Sequence, residues 1–147
     1  MEEHQTRTID TLLDHYSASH RHHTNEIIHW VCVPAIVFSF LGLLWTAHPL
    51  AALAAVLLSL IYYAYLSPPF MLGMLLMTAA MLGLLYLLPG AAVLPLSVAV
   101  FVLAWIGQFI GHKIEGKKPS FFEDVRYLLI GPLFVLGFFY RRFGIKY

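Results

Sequence analysis

Apolar residues fill four long stretches of the chain, and polar residues are confined to the chain ends and to short breaks. Each stretch is close to the ~20 apolar residues that an α-helix needs to cross a bilayer. The breaks contain prolines, as in Ser67-Pro68-Pro69, and proline favours the end of a helix. The stretches cover residues 25–46, 50–66, 70–88 and 92–110. Because these breaks are short, the pattern predicts an all-α integral membrane protein, a bundle of four antiparallel helices.

The segments on either side of this bundle have patterns of their own. In the N-terminal segment, apolar residues recur at helical spacing, which predicts an amphipathic surface helix over residues 8–19. These apolar positions are Ile9, Leu12, Leu13 and Tyr16. Residues 121–140 are apolar again, but charged residues stand at the start of this stretch and Pro132 in its middle. We therefore expect a C-terminal interfacial or re-entrant helix rather than a fifth span.

Composition and charge support the membrane assignment. The chain is 60% hydrophobic and only 12% charged, whereas about 25% of the residues in soluble domains are charged. All nine Lys and Arg residues lie before Ile27 or after Gly111, so four crossings leave them all on one side. The positive-inside rule then predicts that both termini are cytoplasmic. At this length we expect a single domain, residues 1–147.

Two polar clusters flank the apolar region, at residues 20–30 and 108–115. An even number of crossings places the start of the first span and the end of the fourth at the same membrane face. His20 and His29 are nine residues apart, so on one straight helix they would face opposite ways. They can converge only if the chain turns between them, and Thr24 and Asn25 are suitable N-cap residues for a helix that starts there.

The first cluster holds four histidines and the second holds His112, and together they point to metal chemistry. His29 lies inside an apolar run, where an imidazole is costly unless it is paired or ligated. His112 and Glu115 are three residues apart and share a helix face. Gln108, four residues before His112, is a candidate partner that orients the ring. Imidazole and carboxylate ligands suit iron, zinc or manganese, and residue types alone do not distinguish these metals.

Other interpretations apply to part of these clusters. His22 and His23 are equally well explained by contact with solvent or lipid headgroups. Asn25 is most simply a helix cap. Lys117 and Lys118 are typical interfacial anchors, although they would also attract an acidic headgroup or carboxylate. The sequence has no nucleophile elbow, Cys-x-x-Cys or phosphate-binding loop, and its basic residues flank membrane spans, so we expect no nucleic-acid partner.

The two clusters together resemble a known family. The motifs His20-x4-Asn25-x3-His29-x4-Pro34 and Gln108-Phe109-x-Gly111-His112, with Glu115 and Pro119, are similar to those of the small membrane proteins of the 2-hydroxy fatty acid dioxygenase family. The similarity covers residues 10–140. It implies an Fe(II)-dependent enzyme of fatty acid α-oxidation, which uses O2 to convert a 2-hydroxy fatty acid to the acid one carbon shorter. The short tails favour a bacterial inner membrane over the endoplasmic reticulum.

This resemblance assigns roles to individual residues. His20, His29 and His112 match the family histidines and are the expected metal ligands, with Glu115 as a further catalytic candidate. Residues expected to support the ligands or to hold the substrate's head group are Asn25, Gln108, His23, Arg21, Lys113 and Lys117. The expected partners are a lipid-like 2-hydroxy acid, O2 and the bilayer. The alternatives are a different metal-dependent membrane lipid hydrolase or hydroxylase, and a non-enzymatic membrane scaffold.

Overall fold

Six helices make up the regular structure of the part of the chain that the computed structural model describes, residues 7–117 and 127–147. Four of them are long and apolar enough to cross a membrane. The helices are α1 Thr8–Ser17, α2 His23–Ala47, α3 Pro49–Leu66, α4 Pro68–Leu87, α5 Gly90–Glu115 and α6 Gly131–Arg142. The prediction of an all-α bundle with four spans, α2 to α5, is therefore confirmed.

Single residues separate consecutive spans at two of the breaks. His48 ends α2 in an extended conformation, and its Nδ1 accepts a hydrogen bond of 3.1 Å from the Leu50 N–H. Pro49 follows in the first turn of α3, where backbone N–H groups have no partner within the helix, so its missing N–H costs no hydrogen bond. Between α3 and α4, Ser67 is likewise extended and Pro68 follows in the first turn, but the Ser67 side chain does not cap α4. Such short connections make sequential helices antiparallel neighbours.

The pairing of α2 with α5 is the most extensive helix contact in the described structure. Three glycines, Gly42, Gly107 and Gly111, allow these helices to approach closely. A Cβ atom on Gly42 would overlap Ser97, and one on Gly111 would overlap the side-chain oxygen of Asn25. Because α2 and α5 run in opposite directions, the start of α2 lies beside the end of α5, and the two polar clusters meet.

The short helices α1 and α6 pack over this same end of the bundle. Ile9 and Leu13 of α1 are buried in one cluster with Leu133 of α6 and with Phe70 of α4. At 1.5 Å per residue, the 12 residues of α6 span roughly 18 Å, well short of the ~30 Å hydrocarbon layer. The described helix is therefore too short to cross the bilayer by itself, which agrees with the expected interfacial or re-entrant helix. The two ends of the described chain also meet, because Arg7 donates a hydrogen bond to the backbone oxygen of Tyr147.

Two predicted helix boundaries differ from the structure. The surface helix ends at Ser17 rather than at residue 19. The C-terminal helix begins at Gly131, after turns at residues 127–130, and residues 121–126 lie outside the described part. The reason is Pro132, which the sequence pattern places in mid-helix but which occupies the first turn, the position that tolerates proline best.

Candidate metal centre

Three histidines from three parts of the chain converge at the α1 and α6 end of the bundle. His20 comes from the turn after α1, His29 from α2 and His112 from α5, and their exposed fractions are 5%, 1% and 7%. The ring centroid of His20 lies 4.1 Å from that of His29 and 6.0 Å from that of His112. The His29 and His112 centroids are 5.6 Å apart. The two polar clusters thus contribute to one buried group of imidazoles.

The turn that brings His20 to His29 lies between α1 and α2, and its helix cap is His22. The Nδ1 atom of His22 accepts a hydrogen bond of 3.2 Å from the Thr24 N–H. The expectation that Thr24 or Asn25 caps this helix is therefore wrong, and Asn25 lies inside the first turn. Its side chain is fully buried against Gly111, so its shape sets the contact between α2 and α5.

Backbone carbonyls fix the tautomer of two of the three rings. His20 Nδ1 lies 2.7 Å from the Tyr16 carbonyl oxygen, and His29 Nδ1 lies 2.8 Å from that of Asn25. A carbonyl oxygen only accepts, so each Nδ1 carries the proton and the lone pair of the neutral ring is on Nε2. A metal-binding histidine commonly has this arrangement, in which one nitrogen donates to the protein and the other faces the ion. In addition, the His20 ring stacks on Tyr16, with centroids 4.2 Å apart.

These rings suit a metal ion in donor type, while their separations differ from those of three rings on one ion. Imidazole nitrogens about 2.0–2.1 Å from a metal place ring centroids roughly 4.5–5.3 Å apart, whereas the observed separations are 4.1, 5.6 and 6.0 Å, so the rings would have to shift to bind one ion. Within residues 7–117 and 127–147, no three His, Cys, Asp or Glu side chains already have their ligand atoms gathered around a common point. The ligand role of His20, His29 and His112 therefore stays a prediction, which their residue type and tautomers support.

Two other polar residues of the motifs lie around this group. Gln108 is 5% exposed, and its side chain lies beside the His29 ring. Glu115 accepts a hydrogen bond from the backbone N–H of His22. Glu115 thus fastens the end of α5 to the start of α2, a role that the sequence did not indicate.

A cavity of about 180 Å³ opens beside the imidazoles. His20, Gln108 and His112 form part of its wall, while Val33 and Ile36 of α2 form an apolar part. At this cavity the Lys117 Nζ donates a hydrogen bond of 2.7 Å to the Ser19 Oγ. The cavity therefore combines a cationic group, a group of imidazoles and an apolar wall, which suits an acid with a hydrocarbon tail.

The remaining predicted basic residues lie elsewhere. Arg21, His23 and Lys113 are exposed and do not line the cavity. Their proposed contact with the substrate's head group stays a prediction. The sequence did not indicate Ser19 as a site residue, and it indicated Tyr16 only as an apolar position of the surface helix, although the Tyr16 ring stacks on His20. The helical spacing of Tyr16 and His20, four residues apart, was the one signal that could have indicated their contact.

Comparison with known proteins places these observations in a wider context. A model of the family described as Mpo1-like, "2-hydroxy-palmitic acid dioxygenase Mpo1-like", matches residues 6–143. A protein of Saccharomyces cerevisiae named 2-hydroxy-palmitic acid dioxygenase MPO1 is 29% identical over 147 aligned residues, which cover 90% of this chain and 79% of the yeast protein. No solved structure matches the chain.

Proposed function

The chain belongs to the Mpo1-like family, and on this basis we propose that it is an iron(II)-dependent dioxygenase that shortens 2-hydroxy fatty acids by one carbon. The observation that carries the proposal is the convergence of His20, His29 and His112 beside a cavity with an apolar wall. The apolar spans agree with a lipid-like substrate that reaches the site from the bilayer.

The overall reaction balances with O2 as the sole oxidant. A 2-hydroxy acid and O2 give the acid one carbon shorter, CO2 and water, and four electrons pass from the substrate to O2. Bound iron(II) would supply the one-electron chemistry that lets O2 react with a closed-shell organic acid. Three imidazoles without a thiolate are compatible with iron, although the same donors also bind zinc.

The residues of this chain would hold and orient both the iron and the substrate. His20, His29 and His112 would provide the ligand nitrogens, and the Tyr16 carbonyl holds the His20 ring in its orientation. At the cavity, Lys117 would attract the carboxylate of the substrate, with Ser19 beside it as a hydrogen-bonding group.

The proposal is tested by metal content together with product formation. The protein is purified anaerobically in detergent, its metals are quantified by mass spectrometry, and Fe(II), O2 and 2-hydroxypalmitate are added. We expect about one iron per chain and formation of the acid one carbon shorter. His29→Gln and His112→Gln should lose both iron and product. His48→Asn is the matched control, because His48 lies at the opposite end of the bundle and asparagine preserves its capping acceptor.

Each other outcome contradicts a defined part of this proposal. Product formation and iron content that survive His29→Gln would overturn the ligand assignment. One zinc per chain without product would favour a metal-dependent lipid hydrolase. A protein that holds no metal even after reconstitution would leave a membrane scaffold as the remaining function.

A further inference from the structure

A second, smaller pocket lies deeper in the bundle, next to the cavity of the candidate metal centre. Its volume is about 70 Å³, and α2, α3, α4 and the segment before α6 enclose it. Leu128 lines both the cavity and this pocket. On α2, Ile36 lines the cavity. Val37, in the same turn, and Phe40, in the next turn, line the pocket. The two spaces are therefore neighbours along α2, with Leu128 at their common wall.

The lining of the smaller pocket suits a hydrocarbon. Each polar side chain of the lining donates its hydroxyl hydrogen to a backbone oxygen. Ser59 donates to the Ala55 oxygen at 2.8 Å, Thr78 to Met74 at 2.7 Å, and Tyr63 to Leu129 at 2.8 Å. The other lining residues are Val37, Phe40, Leu41, Ala55, Val56, Met74, Leu128, Leu129 and Pro132. No polar occupant would find a ready hydrogen-bond donor here, whereas an alkyl chain needs none.

The pocket also has a route to the surrounding lipid. Phe40 is 39% exposed and Leu129 41% exposed, although both line the pocket. Phe40 lies on α2, one of the membrane-spanning helices, so its exposed surface faces hydrocarbon. The pocket thus shares the wall residue Leu128 with the cavity on one side and borders the bilayer on the other.

We propose that the acyl tail of the substrate passes from the cavity beside Leu128 into this pocket and leaves between Phe40 and Leu129 into the bilayer. The identity of the head group rests on the proposed function, but the path of the tail rests on the pocket alone. An engineered cavity of about 150 Å³ holds one benzene molecule, so a pocket of about 70 Å³ holds only a few carbons. The protein therefore recognises a short section of the tail, and the rest lies in lipid.

Photolabelling of the wild-type protein tests this path without turnover. The probe is a 2-hydroxy fatty acid with a diazirine a few carbons beyond the hydroxyl, and mass spectrometry locates the label. We expect labelling of the pocket residues of α2 and of the segment at 128–132, which an excess of 2-hydroxypalmitate suppresses. Competable label confined to the outer surfaces of α3 and α5 would overturn the proposal.

Substitution of Leu128 provides the second test. Leu128→Phe should narrow the passage, and Leu103→Phe is the matched control because Leu103 is 67% exposed on α5 and lines neither space. We compare dissociation constants of variant and wild type for 2-hydroxy acids of four to sixteen carbons, so that partition into detergent cancels. The dissociation constant of Leu128→Phe divided by that of the wild type should stay near one for the shortest acid and rise at least tenfold for the longest. A ratio independent of chain length would refute the passage.

Failure of this inference is distinguishable from failure of the proposed function. If label enters the pocket but the wild type forms no shortened acid, the acyl path stands and the dioxygenase proposal falls. If the shortened acid forms but the competable label lies elsewhere, the proposed function stands and the path is wrong.

Discussion

Replacing Gly111 with alanine tests whether the close approach of α2 and α5 sets the geometry of the histidine group. The new Cβ would overlap the Asn25 Oδ1 and would lie 3.3 Å from Asn25 Cγ and 3.4 Å from His29 Cε1. Asn25 is fully buried and cannot swing away into solvent. The helices must therefore separate or Asn25 must shift, and overpacking of this kind usually destabilises a protein by about 1–3 kcal/mol.

The same displacement should weaken the metal centre. His29 and His112 are on the two helices that would separate, and both flank the point of overlap. A misplacement of about 1 Å at a reacting centre can cost on the order of 100-fold in rate. We therefore expect Gly111→Ala to lower the midpoint of thermal unfolding in detergent, to lose most of its iron and to reduce product formation by 10- to 100-fold as an order-of-magnitude estimate.

Gly83→Ala is the matched control, because a Cβ there meets nothing within 4 Å. It should keep wild-type iron content and be at least as stable as the wild type, since alanine is a better helix former than glycine. The double variant Asn25→Ala with Gly111→Ala removes the overlapping amide and should recover part of the lost stability. Wild-type stability and iron content in Gly111→Ala alone would refute the argument.

Three further predictions use other described contacts. Lys117→Met should raise KM for 2-hydroxypalmitate about fivefold, the order expected for one partly exposed charge pair, with iron content unchanged; steady-state kinetics at two salt concentrations check this. Glu115→Ala should lower the free energy of unfolding by about 0.5–1.5 kcal/mol, because the exposed hydrogen bond from the His22 N–H to the carboxylate is lost, yet keep one iron per chain; loss of iron with full stability would instead make Glu115 a ligand. Cysteines at Ala47 and Lys146 should react with an impermeant maleimide from opposite sides of sealed vesicles, with Lys146→Cys labelled from the cytoplasmic side; labelling of both from one side would contradict the predicted topology.

The apolar pattern predicted the part of the fold that positions the site. Four spans are an even number, so the parity of the crossings was enough to place His112 at the same membrane face as His20 and His29. That argument needs only the lengths of the apolar stretches and the hydrocarbon thickness. The observed ring separations confirm the placement, while the binding of iron is a separate property that no contact within the protein demonstrates.

One helix cap and two contacts between distant segments could not be predicted in the same way. The cap of α2 is His22, a residue outside the usual set of N-cap side chains. Glu115 lies at helical spacing from His112, yet its carboxylate meets the His22 backbone instead, which depends on how α5 packs. Leu128 lines both the cavity and the smaller pocket because the chain returns to the bundle after α5, and the local sequence around Leu128 does not indicate this position.

The location of His20 outside the membrane-spanning helices has a consequence for the biogenesis of this protein. His29 and His112 are on membrane-spanning helices, whereas His20 is held by the carbonyl of Tyr16, near the end of the surface helix α1. During synthesis His20 leaves the ribosome first, but its ring reaches its place only after α5 has been inserted and α1 has docked on the finished bundle. Iron acquisition would therefore be a late maturation step that follows membrane insertion, and the cell would have to deliver the metal to an already embedded protein.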